Sequence, residues 1–284
     1  MKIVCMLFLL LQPCLFIQAQ KKPAYILYNG EGHKVSYHKM IGILKKTDII
    51  LFGEYHNNAI AHWLELELAK DLQPLRKLEM GAEMFESDNQ EAVNLYLRGA
   101  INAHQLDSMA RLWKNFKTDY QPLLDFARDH GIDFTATNIP RHYASQVAKY
   151  GFSTLDSLPD SEKKWMAPLP MRYDAELPGY KNMLTMMPGH GGENLPKAQN
   201  AKDATMAYFI MKYHKPGDLF IHYNGSYHSQ DGEGIIWHLR QINPALKIGS
   251  ITVVTQKDIT HLEQDHKHKA GFIICVDEDM TNTY

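Results

Sequence analysis

The stretch IILFGEYH at residues 49–56 is an apolar run followed by a glycine turn. A second stretch, LFIHYNGSYH at residues 219–228, has the same form. Each places the pattern G-x-x-H directly after apolar residues that are typical of a buried strand. In open α/β sheets the carboxyl ends of the strands form the edge where ligands bind. The two copies therefore predict two loops that converge on one pocket.

Strands and helices alternate along the rest of the chain. Residues 58–72 carry apolar residues at helical spacing, and residues 25–37 resemble a hairpin around an Asn-Gly turn. Further apolar strands are predicted at residues 79–84, 132–137, 248–254 and 270–276. This alternation predicts an α/β fold with a mainly parallel central sheet and helices on both faces.

The composition changes between residues 151 and 200. This segment holds six of the thirteen prolines and five of the fourteen methionines. Proline interrupts regular helices, and unbranched methionine adapts to irregular apolar surfaces. Two interpretations are open: a long surface excursion, or a lid-like segment inserted into a single domain that spans residues 21–284.

The first twenty residues have the form of a signal peptide. Lys2 precedes an apolar stretch at residues 3–17, and Ala19 offers a small residue for cleavage. An uncleaved membrane anchor and a lipid on Cys14 are the alternatives. The sequence thus predicts export, to the periplasm or to the outer membrane, with a lipid anchor as one option. Beyond residue 20 only Cys275 remains, which excludes an intramolecular disulfide in the exported chain.

Charge argues against one class of partner. The chain has 30 basic and 32 acidic residues, and removal of Lys2 leaves 29 against 32, a net charge of −3 with histidine neutral. Such a balance provides no electrostatic basis for binding nucleic acid, so no nucleic-acid partner is expected.

Polar and ionisable side chains that could bind a ligand or act in catalysis recur at the predicted strand ends. They share a position at or just past the carboxyl end of a strand: Glu54, His56, Glu83, Asn138, Arg141 and His228. Carboxylates and imidazoles together can hold a divalent metal ion, and they can equally form an acid/base cluster or a purely architectural network. The guanidinium of Arg141 suits a ligand carboxylate, or Glu54 or Glu83.

Four segments carry a resemblance to a known family. They are Gly53-Glu54-Tyr55-His56-Asn57 with His62, Asn138-Ile139-Pro140-Arg141, Gln199 with Asp203, and Asn224-Gly225-Ser226-Tyr227-His228. In this order they resemble the motifs of the ChaN-like haem-binding proteins, over roughly residues 24–255. That family is related to the Tiki metalloproteases, whose proposed metal site uses two G-x-x-H motifs and a glutamate.

The resemblance implies an exported haem-binding protein that serves iron acquisition or storage. It further implies haem as cofactor, paired subunits that hold haem between them, and an outer-membrane haem or iron uptake system as partner. By analogy the axial ligand is a tyrosine, for which Tyr173 and Tyr180 are candidates, with His190 as a further candidate. Asn138 and Arg141 are assigned to the same cofactor site.

The relationship to the Tiki proteases implies an alternative. In that interpretation the chain is a metal-dependent hydrolase, and Glu54, His56, Glu83 and His228 are at once its metal ligands and its catalytic groups. Both interpretations use the same edge of the sheet.

Overall fold

The computed structural model describes residues 22–186 and 192–284. The predicted signal peptide and His190 lie outside the described residues. Among the residues that are described, no helix combines the length and the apolar character needed to cross a membrane.

A seven-stranded sheet forms the centre of the molecule, in the order β1-β7-β6-β2-β5-β3-β4. All neighbours run parallel except β1 and β7, which are antiparallel. The strands are β1 (Tyr25–Asn29), β2 (Ile49–Glu54), β3 (Leu78–Glu86), β4 (Asp133–Asn138), β5 (Leu219–Gly225), β6 (Ile248–Gln256) and β7 (Phe272–Asp277). The predicted α/β class is confirmed, and the sheet is mainly parallel with one antiparallel pair of strands.

The predicted hairpin at residues 25–37 forms only in part. The backbone N–H groups of Asn29 and Val35 donate hydrogen bonds to the backbone oxygens of His33 and Leu27, and Tyr28 and Lys34 form an isolated antiparallel bridge. The second arm is not a strand, and β1 takes β7 as its partner in the sheet. The chain then enters a helix, because the Ser36 side chain accepts a hydrogen bond from the Lys39 backbone N–H and caps the helix start.

Helices cover both faces of the sheet. They are α1 (Tyr37–Leu44), α2 (Ala59–Leu72), α3 (Gln90–Leu97), α4 (Ala103–Met109), α5 (Gln121–His130), α6 (Arg141–Tyr150), α7 (Asp160–Lys163), α8 (Pro178–Met186), α9 (Leu195–Tyr213) and α10 (Ile235–Ile242). Alternation along β2 explains the two cores: Ile50 and Phe52 pack with α1, α2 and α5, whereas Ile49 and Leu51 pack with α9 and α10.

The described part of residues 151–200 contains short helices rather than strands. A small apolar cluster ties this segment to α6 and α9 and includes Tyr143, Leu155, Met166 and Ala198. Helix α8 packs against α9. The interpretation of this segment as an inserted lid stays a prediction.

The order of the strands accounts for the position of the site. Strands β2, β5, β3 and β4 are consecutive neighbours and run in the same direction. Their carboxyl ends therefore place Glu54, Gly225, the Glu83 region and Asn138 along one edge. Residues far apart in the sequence become neighbours for this reason.

Candidate functional site

Glu54, the last residue of β2, is an ionised carboxylate buried beneath the edge of the sheet. Its Oε1 lies 2.7 Å from Nδ1 of His56 and accepts a 2.7 Å hydrogen bond from the Tyr120 hydroxyl. Its Oε2 lies 3.0 Å from Nδ1 of His62. Burial opposes ionisation, but hydrogen bonds from His56 and His62 outweigh it and lower the pKa of Glu54 to about 2.

His62 carries the positive charge that balances this group. Asn58 caps helix α2 by accepting a hydrogen bond from the Ala61 N–H, which puts His62 in the first turn above Glu54. Its Nδ1 lies 3.3 Å from Glu65 Oε2, and its Nε2 lies 3.4 Å from an oxygen of Asp119. Burial would lower the pKa of His62, but hydrogen bonds and charges from the carboxylates raise it to about 11.

Glu65 completes this buried cluster. Burial and the nearby charge of Glu54 raise the pKa of the Glu65 carboxyl well above its ordinary value and so favour its protonated form. Glu54, His62 and Glu65 each offer a ligand atom, and these atoms lie within 4.8 Å of one another. Their oxygen and nitrogen donors suit a divalent transition metal, provided that His62 gives up its proton.

Glu83 and His228 form a second charged group beside the first. Nε2 of His228 lies 3.1 Å from Glu83 Oε1, and Nδ1 lies 2.5 Å from Asp203 Oδ1. Burial would lower the pKa of His228, but the charges of Glu83 and Asp203 outweigh it and raise that pKa to about 9. Burial would raise the pKa of Glu83, but the positive charge of His228 outweighs this effect and holds that pKa well below its usual range.

Gly225 joins the two groups. Its backbone N–H donates a 2.7 Å hydrogen bond to Glu83 Oε2. A Cβ at this position would lie 2.9 Å from both Cε1 and Nε2 of His56. The glycine of the second G-x-x-H pattern is thus needed because the imidazole of the first one packs directly on it.

His56 is the group of the cluster that faces open space. The ionised Glu54 accepts the proton of its Nδ1, so we assign the lone pair to Nε2. Its side chain is 33% exposed, and its ring lies 4.7 Å from that of Trp113. The imidazole can therefore act as a base or as an iron or metal ligand.

A cavity of about 540 Å³ opens above His56. Its lining residues share the strand-end loops and the α8–α9 region: Glu54, Tyr55, His56, Asn57, Met183, Gln199, Gly225, Ser226, Tyr227, His228 and Tyr284. Both G-x-x-H loops contribute to this cavity.

Two of the predicted site residues occupy other positions. Asn138 is buried, and its side-chain amide donates a 3.0 Å hydrogen bond to the backbone oxygen of Glu83, which ties β4 to β3. Arg141 is exposed and lines a neighbouring cavity. The ion-pair partners of Glu54 and Glu83 in the described ranges are histidines, so neither glutamate takes Arg141 as a partner.

Neither candidate ligand tyrosine lines the cavity above His56. Tyr180 is buried, its hydroxyl donates a 2.9 Å hydrogen bond to Asp203, and burial together with this charge raises the pKa of the phenol far above its usual value. Tyr173 is half-buried with its ring against that of Tyr180, and burial also raises its pKa. The neighbouring Arg172 bonds to Gln241. Both environments disfavour the phenolate that ferric iron prefers.

Four contributing residues were absent from the sequence-based site: Glu65, Asp119, Tyr120 and the exposed Tyr227 of the second G-x-x-H loop. Glu65 could have been found, since it lies three residues after His62 on the same face of a helix. Asp119 and Tyr120 lie on a π-helical turn, Phe116–Tyr120, whose approach to β2 is a matter of tertiary packing.

The fold and the site define a class: an α/β protein with a buried Glu–His cluster at the carboxyl edge of its sheet. The sequence model of the family described as "Haem-binding uptake, Tiki superfamily, ChaN" matches residues 40–239. The chain belongs to this ChaN family of haem-binding proteins.

Solved structures share the fold. One is described as cofacial heme binding to ChaN of Campylobacter jejuni; it is 18% identical, with a TM-score of 0.62, and the match covers 88% of this chain and 96% of that one. The type III effector HopBA1 is 13% identical, with a TM-score of 0.50 over 84% of this chain and 92% of the other.

Among curated proteins, Protein RETICULATA-RELATED 5, chloroplastic, of Arabidopsis thaliana is 30% identical over 111 residues. The match covers 37% of this chain, and it spans only 15% of the length of that protein.

Proposed function

We propose that this protein binds haem at the carboxyl edge of its sheet, outside the cytoplasm, in the service of haem or iron acquisition or storage. The observation that carries the proposal is the cavity above His56 in a chain of the ChaN haem-binding family. The ChaN structure from Campylobacter jejuni, whose description names cofacial heme binding, supports it by analogy of fold.

The donors around this cavity suit haem iron. His56 Nε2, the phenols of Tyr55 and Tyr227, and the thioether of Met183 belong to the side-chain types that ligate haem. The cavity volume falls in the range of small-molecule sites. Haem bound there supplies an iron centre, while this chain orients His56 through the hydrogen bond to Glu54.

A haem titration of the chain from residue 21 onward tests the proposal. We expect a shifted Soret band and saturable binding, and their absence would refute haem binding. Substitutions Tyr173→Phe, Tyr180→Phe and Tyr227→Phe then identify the ligand, with Tyr150→Phe, an exposed tyrosine that does not line this cavity, as control. If neither Tyr173→Phe nor Tyr180→Phe alters the spectrum of bound haem, the assignment of the ligand to those two residues is wrong.

Export and pairing are parts of the same proposal. A signal peptide at residues 1–20 would deliver the protein to the periplasm or outer membrane, where an uptake system would be its partner. Two copies would hold haem between them, as cofacial binding in the Campylobacter protein suggests. Mass spectrometry of exported protein tests cleavage and a lipid on Cys14. Light scattering with and without haem tests pairing.

A metal-dependent hydrolase is the second candidate. The observation that favours it is that the His56 side chain lines an open cavity, with an ionised glutamate behind its Nδ1 and the Glu83–His228 pair alongside. A bound metal ion would polarise a substrate or lower the pKa of water, and His56 would act as base. In this chain the protonated His228 must lose its proton before it can ligate.

Metal analysis distinguishes the two candidates. Protein purified without chelator should contain close to one equivalent of a transition metal other than haem iron if the hydrolase interpretation holds. A content below about a tenth of an equivalent, with no hydrolysis of peptides or esters stimulated by added metal, would count against it.

A further inference from the structure

A second cavity, of about 750 Å³, adjoins the one above His56. Tyr284 lines both cavities, and Trp113, which lines the second, contacts the ring of His56 at a centroid distance of 4.7 Å. A flat ligand seated above His56 therefore has an edge that can extend past Trp113 into the second cavity.

The second cavity is cationic. Arg111, Lys114 and Arg141 line it, and Glu86 is the acidic side chain among the lining residues. Arg111 is already engaged, since its Nε donates a 2.7 Å hydrogen bond to Glu86 and its Nη2 pairs with Asp88. Within residues 22–186 and 192–284, no ion pair engages Lys114 or Arg141. Two positive charges are thus available to an incoming anion.

The reasons for these positions lie in the fold. Arg141 is the first residue of α6, at the end of β4, and Lys114 lies in the loop between α4 and the π-helical turn. Asn115, next to Lys114, donates a hydrogen bond to the backbone oxygen of His56 and so anchors this loop to the site. The loop that carries Lys114 is therefore attached to the backbone at His56.

We propose that Arg141 and Lys114 form a subsite for the carboxylates of the ligand bound beside His56. Charge-assisted hydrogen bonds from a guanidinium and an ammonium are the interactions that recognise carboxylates in proteins. With haem as ligand, its two propionates are these carboxylates, and to that extent the inference rests on the proposed function. The subsite therefore recognises the anionic edge of a planar ring and does not contact the iron.

Iron-free protoporphyrin IX and its dimethyl ester are the probes that test this subsite. The acid carries both carboxylates, the ester carries none, and neither carries a metal that could be ligated. Affinities are measured by porphyrin fluorescence for the wild type, Arg141→Gln, Lys114→Gln and the double variant. Lys117→Gln is the matched control, because Lys117 is an exposed lysine of the same segment outside the cavity lining.

We expect each single substitution to weaken protoporphyrin binding roughly tenfold and the double to weaken it further, since hydrogen bonds to charged groups are worth this much. Binding of the ester should not change, and Lys117→Gln should bind both probes as the wild type does. Unfolding midpoints establish that all variants are folded.

The inference is overturned if the double variant binds the acid within about twofold of the control, or if acid and ester weaken equally. It is also overturned if the wild type binds neither porphyrin. A haem titration in parallel distinguishes a failure of the carboxylate subsite from a failure of the proposed haem binding. Charge-dependent binding of protoporphyrin without a haem-specific spectrum would support the subsite and refute haem as the ligand.

Discussion

Replacement of His228 by glutamine should be among the most destabilising single changes at this edge. The imidazolium lies between Glu83 and Asp203, 3.1 Å and 2.5 Å away, and is buried. The rise of its pKa from 6.5 to about 9 corresponds to roughly 3 kcal/mol, because one pKa unit is worth about 1.4 kcal/mol. Removal also leaves two buried carboxylates without a counter-charge, for which losses of about 3–5 kcal/mol are typical.

Urea unfolding of EDTA-treated protein at pH 6.5 measures this loss. His104→Gln, a change at an exposed histidine, is the control and should alter the free energy of unfolding by less than about 0.5 kcal/mol. A loss under about 1 kcal/mol for His228→Gln would refute the reasoning.

The pH dependence gives a second check on His228. Because the pKa of His228 is raised on folding, its contribution is complete below pH 6.5 and is lost as the pH rises through about 9. The imidazole resonance of His228, assigned by its absence from the spectrum of His228→Gln, should therefore titrate near pH 9. Titration near pH 6.5 would contradict the ion-pair interpretation.

Two further pairs of substitutions test the packing and the protonation of the site. Gly225→Ala should destabilise the protein by about 1–3 kcal/mol, because the added Cβ would lie 2.9 Å from the His56 ring. Gly42→Ala, where an added Cβ has nothing within 4 Å, should instead stabilise helix α1 by about 0.5–1 kcal/mol. Equal unfolding midpoints for the two variants would contradict this prediction. Glu65→Gln should cost less than about 1 kcal/mol near pH 7, because a protonated carboxyl resembles an amide, whereas Glu54→Gln removes a buried anion and should cost about 3–5 kcal/mol. Equal losses for the two variants in urea unfolding would show that Glu65 is ionised.

Much of the site could be predicted because it depends on strand ends. Apolar runs followed by G-x-x-H indicated β2 and β5, and the parallel arrangement then placed Glu54, His56, Glu83 and His228 on one edge. The pairing of the edge strand β1 with β7 was not predicted, because an Asn-Gly turn is a local signal whereas pairing with β7 is a contact across the whole chain. The contacts of Arg141 could not be predicted for the same reason. Its position after β4 was correct, but its neighbours depend on how a distant loop packs.

The sequence by itself determined the α/β class, the two converging loops and the family to which this chain belongs, since these depend on local periodicity and on short motifs. Only the tertiary structure decided how the charges pair. It divided the cluster into Glu54 with His56 and His62, and Glu83 with His228 and Asp203, and it left the His56 side chain lining the cavity. The physical reason is that proton positions and pKa values depend on burial and on distances of a few ångströms between residues far apart in the chain.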